Sequence, residues 1–111
     1  MEDRIDVTRD GSTATVSVAG ELELVQGDKL EAAVRRLLPD VERVVVDLNG
    51  VTFMDSSGLG ALIALRQAAD ETGWRFALRG PTQAVTRVLE LTSTISLFEI
   101  EAPESVPPIL T

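Results

Sequence analysis

The 111-residue sequence contains no cysteine, no histidine and no tyrosine, and its only lysine is Lys29. Without cysteine the chain has no disulfide, no thiol nucleophile and no thiolate ligand for a metal. Without histidine it lacks a common metal ligand and the usual general base of a serine hydrolase. We therefore expect no enzyme activity, no metal site and no cofactor.

Basic residues are also scarce: the sequence has 10 of them and 18 acidic residues, which gives a net charge of −8. Nucleic acids and anionic lipids are polyanions that attract lysine and arginine, so we expect no direct binding of nucleic acid. No apolar run approaches the roughly 18 residues that span a bilayer, and the first residues lack the pattern of a signal peptide. These features favour a soluble, cytoplasmic protein without membrane insertion, whose partner is another protein.

The hydrophobic pattern predicts an α/β fold, a small mixed β-sheet with helices packed mainly on one face. Residues 4–9 and 13–19 alternate as a hairpin around the Asp10-Gly11 turn. Further strands are expected at 41–48, 74–78 and 97–100, and the connections predict right-handed crossovers. The intervening helices are predicted to begin at a Gly27 or Asp28 cap, at about residue 57, and with Gly80-Pro81-Thr82, whose proline is expected near the first turn. The first two helices are predicted to end before Pro39 and near Gly73.

The chain is expected to form a single domain over residues 1–101. Residues 102–111 carry three of the five prolines. Helix interiors tolerate proline poorly, so these ten residues are predicted to be an irregular tail.

The most informative stretch is residues 53–60, Phe-Met-Asp-Ser-Ser-Gly-Leu-Gly, where a strand-to-helix corner displays hydroxyls. Asp55 or Ser56 can cap the helix, which is the ordinary reason for such residues there. A second hydroxyl, on Ser57, leaves one of the two free. Gly58 and Gly60 occupy a first turn where alanine is favoured by about 1 kcal/mol, which indicates either close approach by another molecule or tight packing on the sheet.

The chemistry of this corner favours a phosphoacceptor over a nucleophile. No general base accompanies the serines, and the glycines lack the lysine of a P-loop. A phosphate on Ser56 would add a charge of about −1.5 to −2, which a helix N-terminus tolerates and a protein interface does not. Phosphorylation there would switch binding without unfolding the chain.

Two motifs carry a resemblance to a known family. Gly20-Glu21-Leu22 precedes the apolar strand, and Asp-Ser-Ser-Gly-Leu-Gly follows it at residues 55–60. Together they resemble the STAS domains of bacterial anti-sigma factor antagonists. The resemblance implies binding to an anti-sigma factor that is also a serine kinase, release on phosphorylation of Ser56, and resetting by a serine phosphatase.

The resemblance also implies a set of flanking residues that contact the partner, with Ser56 as the phosphoacceptor: Asp55, Ser57, Gly58, Leu59, Gly60, Glu21 and Glu23. The sequence departs from the family at Glu23, where aspartate is common, and in the proline-rich tail, where a further helix is usual. Two alternatives stay open. The chain could be a STAS subunit of a transporter or stress-signalling assembly that acts constitutively without phosphorylation, or an enzyme acting on nucleotides.

Overall fold

The computed structural model describes residues 2–103, which form one five-stranded sheet and three α-helices. The strands lie in the order β1-β2-β3-β4-β5; β1 is antiparallel to β2 and the other pairs are parallel. This mixed α/β sheet confirms the predicted fold class. The bounds are β1 (Arg4–Asp10), β2 (Thr13–Leu22), α1 (Leu24–Leu37), β3 (Arg43–Met54), α2 (Ser56–Thr72), β4 (Arg75–Arg79), α3 (Gln83–Leu91) and β5 (Ile100–Glu101).

The hydrophobic core lies between one face of the sheet and the three helices. Every parallel connection steps the same way along the sheet, so right-handed crossovers place α1, α2 and α3 on a common face. Alternate residues of β3 point into this core, where they join one buried cluster with the helices: Val44, Val46, Leu48, Leu30, Leu62 and Leu89. The carboxyl ends of β2 and β3 therefore meet the amino ends of α1 and α2 at one end of the domain.

The opposite face of the sheet is largely polar. Arg43 of β3 and Arg79 of β4 both form ion pairs with Glu101, the last residue of β5. Arg43 also lies 3.8 Å from the Glu99 carboxylate. These pairs help to fasten the two-residue strand β5 to the edge of the sheet.

The start of α1 corrects the predicted cap. Neither Gly27 nor Asp28 caps the helix, because it begins at Leu24 and its N-cap is Glu23. The Glu23 carboxylate accepts hydrogen bonds from the backbone N–H groups of Val25, at 3.3 Å, and Gln26, at 3.1 Å. Gly27 lies inside the helix, where an added Cβ would come within 3.1 Å of the Ala61 Cβ.

Two strands also differ from their predicted bounds. β3 does not end at Leu48 but continues to Met54. Its register with β2 shifts between Asp47 and Gly50 and again between Val51 and Phe53, so the extra residues of β3 are accommodated without breaking the strand. The last strand is not 97–100: Ile95–Leu97 form a 3₁₀ turn, and β5 follows at Ile100–Glu101.

Most of the predicted irregular tail, residues 104–111, lies outside the described residues. Within residues 2–103, no helix has both the length and the apolar character needed to cross a membrane.

Candidate functional site

The first turn of α2 is organised by Asp55, the residue that follows β3. Asp55 is the N-cap in an extended conformation, and its Oδ1 accepts hydrogen bonds from the backbone N–H groups of Ser57 and Gly58, each at 3.0 Å. The Ser57 hydroxyl donates a third hydrogen bond to the same oxygen at 2.6 Å. The cap of this helix is therefore Asp55 rather than Ser56.

The same hydrogen bonds shift the ionisation of Asp55. The Ser57 hydroxyl, followed by the Gly58 N–H, lowers the pKa of the Asp55 carboxyl below its ordinary value, because both donors stabilise the charged form. The site therefore holds a fixed negative charge at neutral pH.

The two serine hydroxyls have different surroundings. Ser57 is half-buried and its hydroxyl is engaged with Asp55. Ser56 is exposed at the first position of α2, and its hydroxyl makes no hydrogen bond to any other described residue. Of the two hydroxyls, Ser56 alone is presented to an incoming molecule.

The motif's glycines have separate roles. Gly58 is buried, and an added Cβ would overlap the carbonyl oxygen of Leu22 and lie 2.9 Å from its carbonyl carbon. Gly58 therefore permits close packing of α2 on the end of β2, so of the two expected roles it has tight packing on the sheet and not close approach by another molecule such as a kinase. Gly60 is exposed, and an added Cβ would meet nothing within 4 Å.

Leu59 also differs from its expected role. Its side chain is 6% exposed and belongs to the hydrophobic core. Leu59 therefore anchors the first turn of α2 and does not offer a side chain to a partner.

The two glutamates carried over from the family resemblance lie at the end of β2. Glu21 is exposed, and its backbone N–H donates to the Asp3 carboxylate at 2.9 Å. Glu23 is half-buried, and its carboxylate caps α1. Contact between these two glutamates and a partner stays a prediction.

The segment that contains the glutamates is attached to the first turn of α2. The Asp55 N–H reaches the Leu22 carbonyl at 3.4 Å, and an added Cβ on Gly27 would lie 3.6 Å from the Ser57 carbonyl oxygen. The beginnings of α1 and α2 thus form one continuous surface.

The predicted set of site residues left out three exposed apolar residues at this end of the domain: Leu24, Val25 and Phe53. A signal for the first two was available, because Leu24 and Val25 lie outside the inward stripe formed by Leu30 and Val34. Beside Phe53 lies an open groove of about 380 Å³, lined by Phe53, Met54, Gln83, Ala84, Arg87 and Val88.

Sequence reasoning also missed Gln26, which is 3% exposed. Its side-chain nitrogen is buried without a hydrogen-bond partner among the described residues. The sequence gives no signal for a buried amide at the third position of a helix, because glutamine is mostly exposed in folded proteins.

A larger groove, of about 800 Å³, lies where α1 and α2 end and β4 begins. Arg35, Leu38, Thr72 and Trp74 are among its lining residues. It is at the opposite end of the domain from Ser56, so it does not contribute to the candidate site.

Comparison with known proteins identifies a family and several relatives that this chain resembles. The chain matches the family described as "Mlab, STAS domain" over residues 5–95. A STAS-domain containing protein of Pseudomonas aeruginosa is 30% identical over 91 residues, which cover 82% of this chain and 90% of that protein. The anti-sigma-B factor antagonist of Staphylococcus aureus is 27% identical over 101 residues, covering 90% of this chain and 94% of that protein.

A solved structure shares the architecture. An anti-sigma factor antagonist from Mycobacterium paratuberculosis superposes with a TM-score of 0.74 at 26% identity, covering 95% of this chain and 88% of that chain. The fold and the α2 turn thus define a small α/β domain with an exposed serine at a helix N-terminus. The chain belongs to the STAS domain family, which confirms the resemblance found in the sequence.

Proposed function

We propose that the chain is an anti-sigma factor antagonist that is switched by phosphorylation of Ser56. Unphosphorylated, it binds an anti-sigma factor that is also a serine kinase; phosphorylated, it releases that partner, and a serine phosphatase resets it. The observation that carries the proposal is the exposed, unbonded hydroxyl of Ser56 beside a Ser57 hydroxyl that is already engaged. The names of the Staphylococcus and Mycobacterium relatives support the anti-sigma factor as partner.

Asp55 influences where a phosphate on Ser56 would act. The cap already occupies the N–H groups of Ser57 and Gly58, so these two donors are not free for a phosphate. Asp55 also brings a negative charge next to the phosphate. The dianion would therefore project toward the partner, where desolvation and charge repulsion oppose binding.

The proposal is for a binding protein without catalysis of its own. Ser56 follows an aspartate whose carboxylate is committed to the helix cap, and the sequence offers no histidine as a base. Transfer of a phosphoryl group to Ser56 therefore depends on residues of the kinase.

The first test is phosphorylation by the serine kinase anti-sigma factors encoded in the same genome, each purified and incubated with ATP and this chain. Mass spectrometry is expected to find one added phosphate on the wild type and on the Ser57→Ala control, and none on Ser56→Ala. A phosphate that persists on Ser56→Ala would sink the assignment of Ser56.

The same purified kinases provide the binding test by isothermal titration calorimetry. Ser56→Asp is expected to bind at least about tenfold more weakly than the wild type, since one charge placed in a desolvated interface costs more than about 1.4 kcal/mol. Ser56→Ala should bind like the wild type. Equal affinities of both variants would favour the constitutive STAS subunit over the switch.

A further inference from the structure

We propose that Leu24, Val25 and Phe53 form an apolar docking patch beside Ser56 that holds the unphosphorylated chain on apolar side chains of the anti-sigma factor. The inference rests on the proposed function and names the residues that supply affinity at the same site. Ser56 then supplies the switch.

The patch is exposed to a degree that folding does not require. Leu24 is 61% exposed, Val25 is 56% exposed and Phe53 is 48% exposed. Seven large apolar side chains among residues 2–103 are exposed, and these three lie where β2 and β3 end. Glu21 pairs with Phe53 and Leu22 with Met54 at the end of the sheet, and α1 begins two residues after Leu22, at Leu24. Clustered apolar side chains on a surface mark interaction sites, whereas scattered ones are ordinary.

The backbone holds the patch next to the phosphoacceptor. Leu24 and Val25 are the first two residues of α1, whose Gly27 packs against the first two turns of α2. Phe53 precedes Ser56 by three residues and opens on to the groove of about 380 Å³ that reaches Val88. A partner that covers Ser56 therefore also covers apolar surface contributed by α1 and β3.

The charges around the patch favour a different protein over a second copy of this chain. Exposed Glu21, half-buried Glu23 and Asp55 lie at the same end of the domain and outnumber Arg87, which lines the groove beside Phe53, and the chain as a whole carries −8. Two copies joined through this surface would bring these carboxylates together, at a cost from like-charge repulsion. The fitting occupant is an anti-sigma factor surface with an apolar centre and a basic rim.

The patch and Ser56 are expected to have different roles: the patch supplies affinity, and Ser56 controls whether the patch can be buried. A few fully desolvated side chains near the centre of an interface contribute most of its binding energy. Aromatic residues are enriched there, so Phe53 is expected to contribute more than Leu24 or Val25. A phosphate on Ser56 would enter that desolvated region and oppose burial of the patch. Loss of the patch should therefore weaken binding even while Ser56 is unphosphorylated.

The test compares the double variant Leu24→Gln/Phe53→Gln with the matched control Leu91→Gln. Leu91 is 79% exposed at the end of α3, so the control removes an apolar side chain outside the patch. The probe is the purified serine kinase anti-sigma factor that binds the wild type in calorimetry. The double variant is expected to bind at least about tenfold more weakly, and the control within about twofold of the wild type.

Urea denaturation of each variant shows whether the fold is retained, and Leu24→Gln alone serves if the double variant is unstable. If the double variant binds as tightly as the control, the docking patch is wrong while the proposed function stands. If the wild type binds none of the kinases, the proposed function itself fails, and this inference with it. If light scattering shows wild-type dimers that the double variant abolishes, the occupant is a second copy and the assignment to the anti-sigma factor is overturned.

Discussion

Asp55 shows how one carboxylate oxygen determines the roles of its neighbours. By accepting three hydrogen bonds, its Oδ1 fixes the first turn of α2, engages the Ser57 hydroxyl and leaves Ser56 as the free hydroxyl. The difference between two adjacent serines in a Ser-Ser pair thus arises from the residue before them.

The lowered pKa of Asp55 predicts a pH-dependent contribution to stability. A group whose pKa is depressed in the folded state stabilises the fold above its unfolded pKa, about 3.9 for aspartate, and loses this contribution as the pH falls through the folded value. Asp55→Asn keeps a capping amide but removes the charge. In urea denaturation, the stability gap between wild type and Asp55→Asn should be larger at pH 7 than near pH 3.

The control for losing one surface carboxylate is Asp28→Asn, which alters an exposed residue of α1. A gap for Asp55→Asn that stays constant with pH would contradict the role assigned to the charged cap.

At the scale of elements, the sequence predicted those parts whose signals are local. The hairpin follows from the alternating residues around Asp10-Gly11, and it is observed as β1 and β2. The end of α2 follows from Gly73, which adopts the left-handed conformation with φ of 87°. α3 begins next to the Gly-Pro-Thr segment that was expected to open it, but Thr82 is its N-cap and Pro81 precedes the cap instead of lying in the first turn.

The elements that were mispredicted depend on contacts between distant residues. The N-cap of α1 is a glutamate, which is not among the residues preferred at N-caps. Gly27 is tolerated inside the helix because Ala61 lies against it. The length of β3 depends on its pairing with β2, from Thr13 to Leu22, which periodicity in β3 alone cannot reveal. At the site, the corner and its hydroxyls could be predicted, whereas exposure of Phe53 depends on how the elements pack.

The two motif glycines should respond oppositely to alanine. Gly58→Ala places a methyl group against the Leu22 carbonyl, so α2 must shift, and we expect a loss of roughly 1–3 kcal/mol in the free energy of unfolding. Gly60→Ala meets open space and should raise that free energy by about 0.5–1 kcal/mol through helix propensity. Urea denaturation of both variants measures this, and equal effects would contradict the packing role of Gly58.

On the scale of the whole molecule, the hydrophobic core and the candidate site occupy different places: the core lies between the sheet and the helices, and the site lies at one end of the domain. All three helices cover one face of the sheet, and the side chains that hold the layers together are buried between them. Ser56, Leu24, Val25 and Phe53 lie at one end, where their side chains remain exposed. Substitutions at these positions can therefore alter binding while the packing of the core stays unchanged.

This separation predicts that the phosphomimetic change leaves folding intact. In Ser56→Asp, the added charge gains from the N-terminal dipole of α2 but lies next to Asp55, so the two effects oppose each other at an exposed position. We expect a free energy of unfolding within about 0.5 kcal/mol of the wild type, as is usual for surface substitutions. Urea denaturation and circular dichroism of Ser56→Asp, Ser56→Ala and wild type would check this. A switch that acts only at the interface leaves the free chain as stable as the wild type. If the free energy of unfolding falls by more than about 2 kcal/mol in Ser56→Asp alone, weaker partner binding by that variant would arise from unfolding.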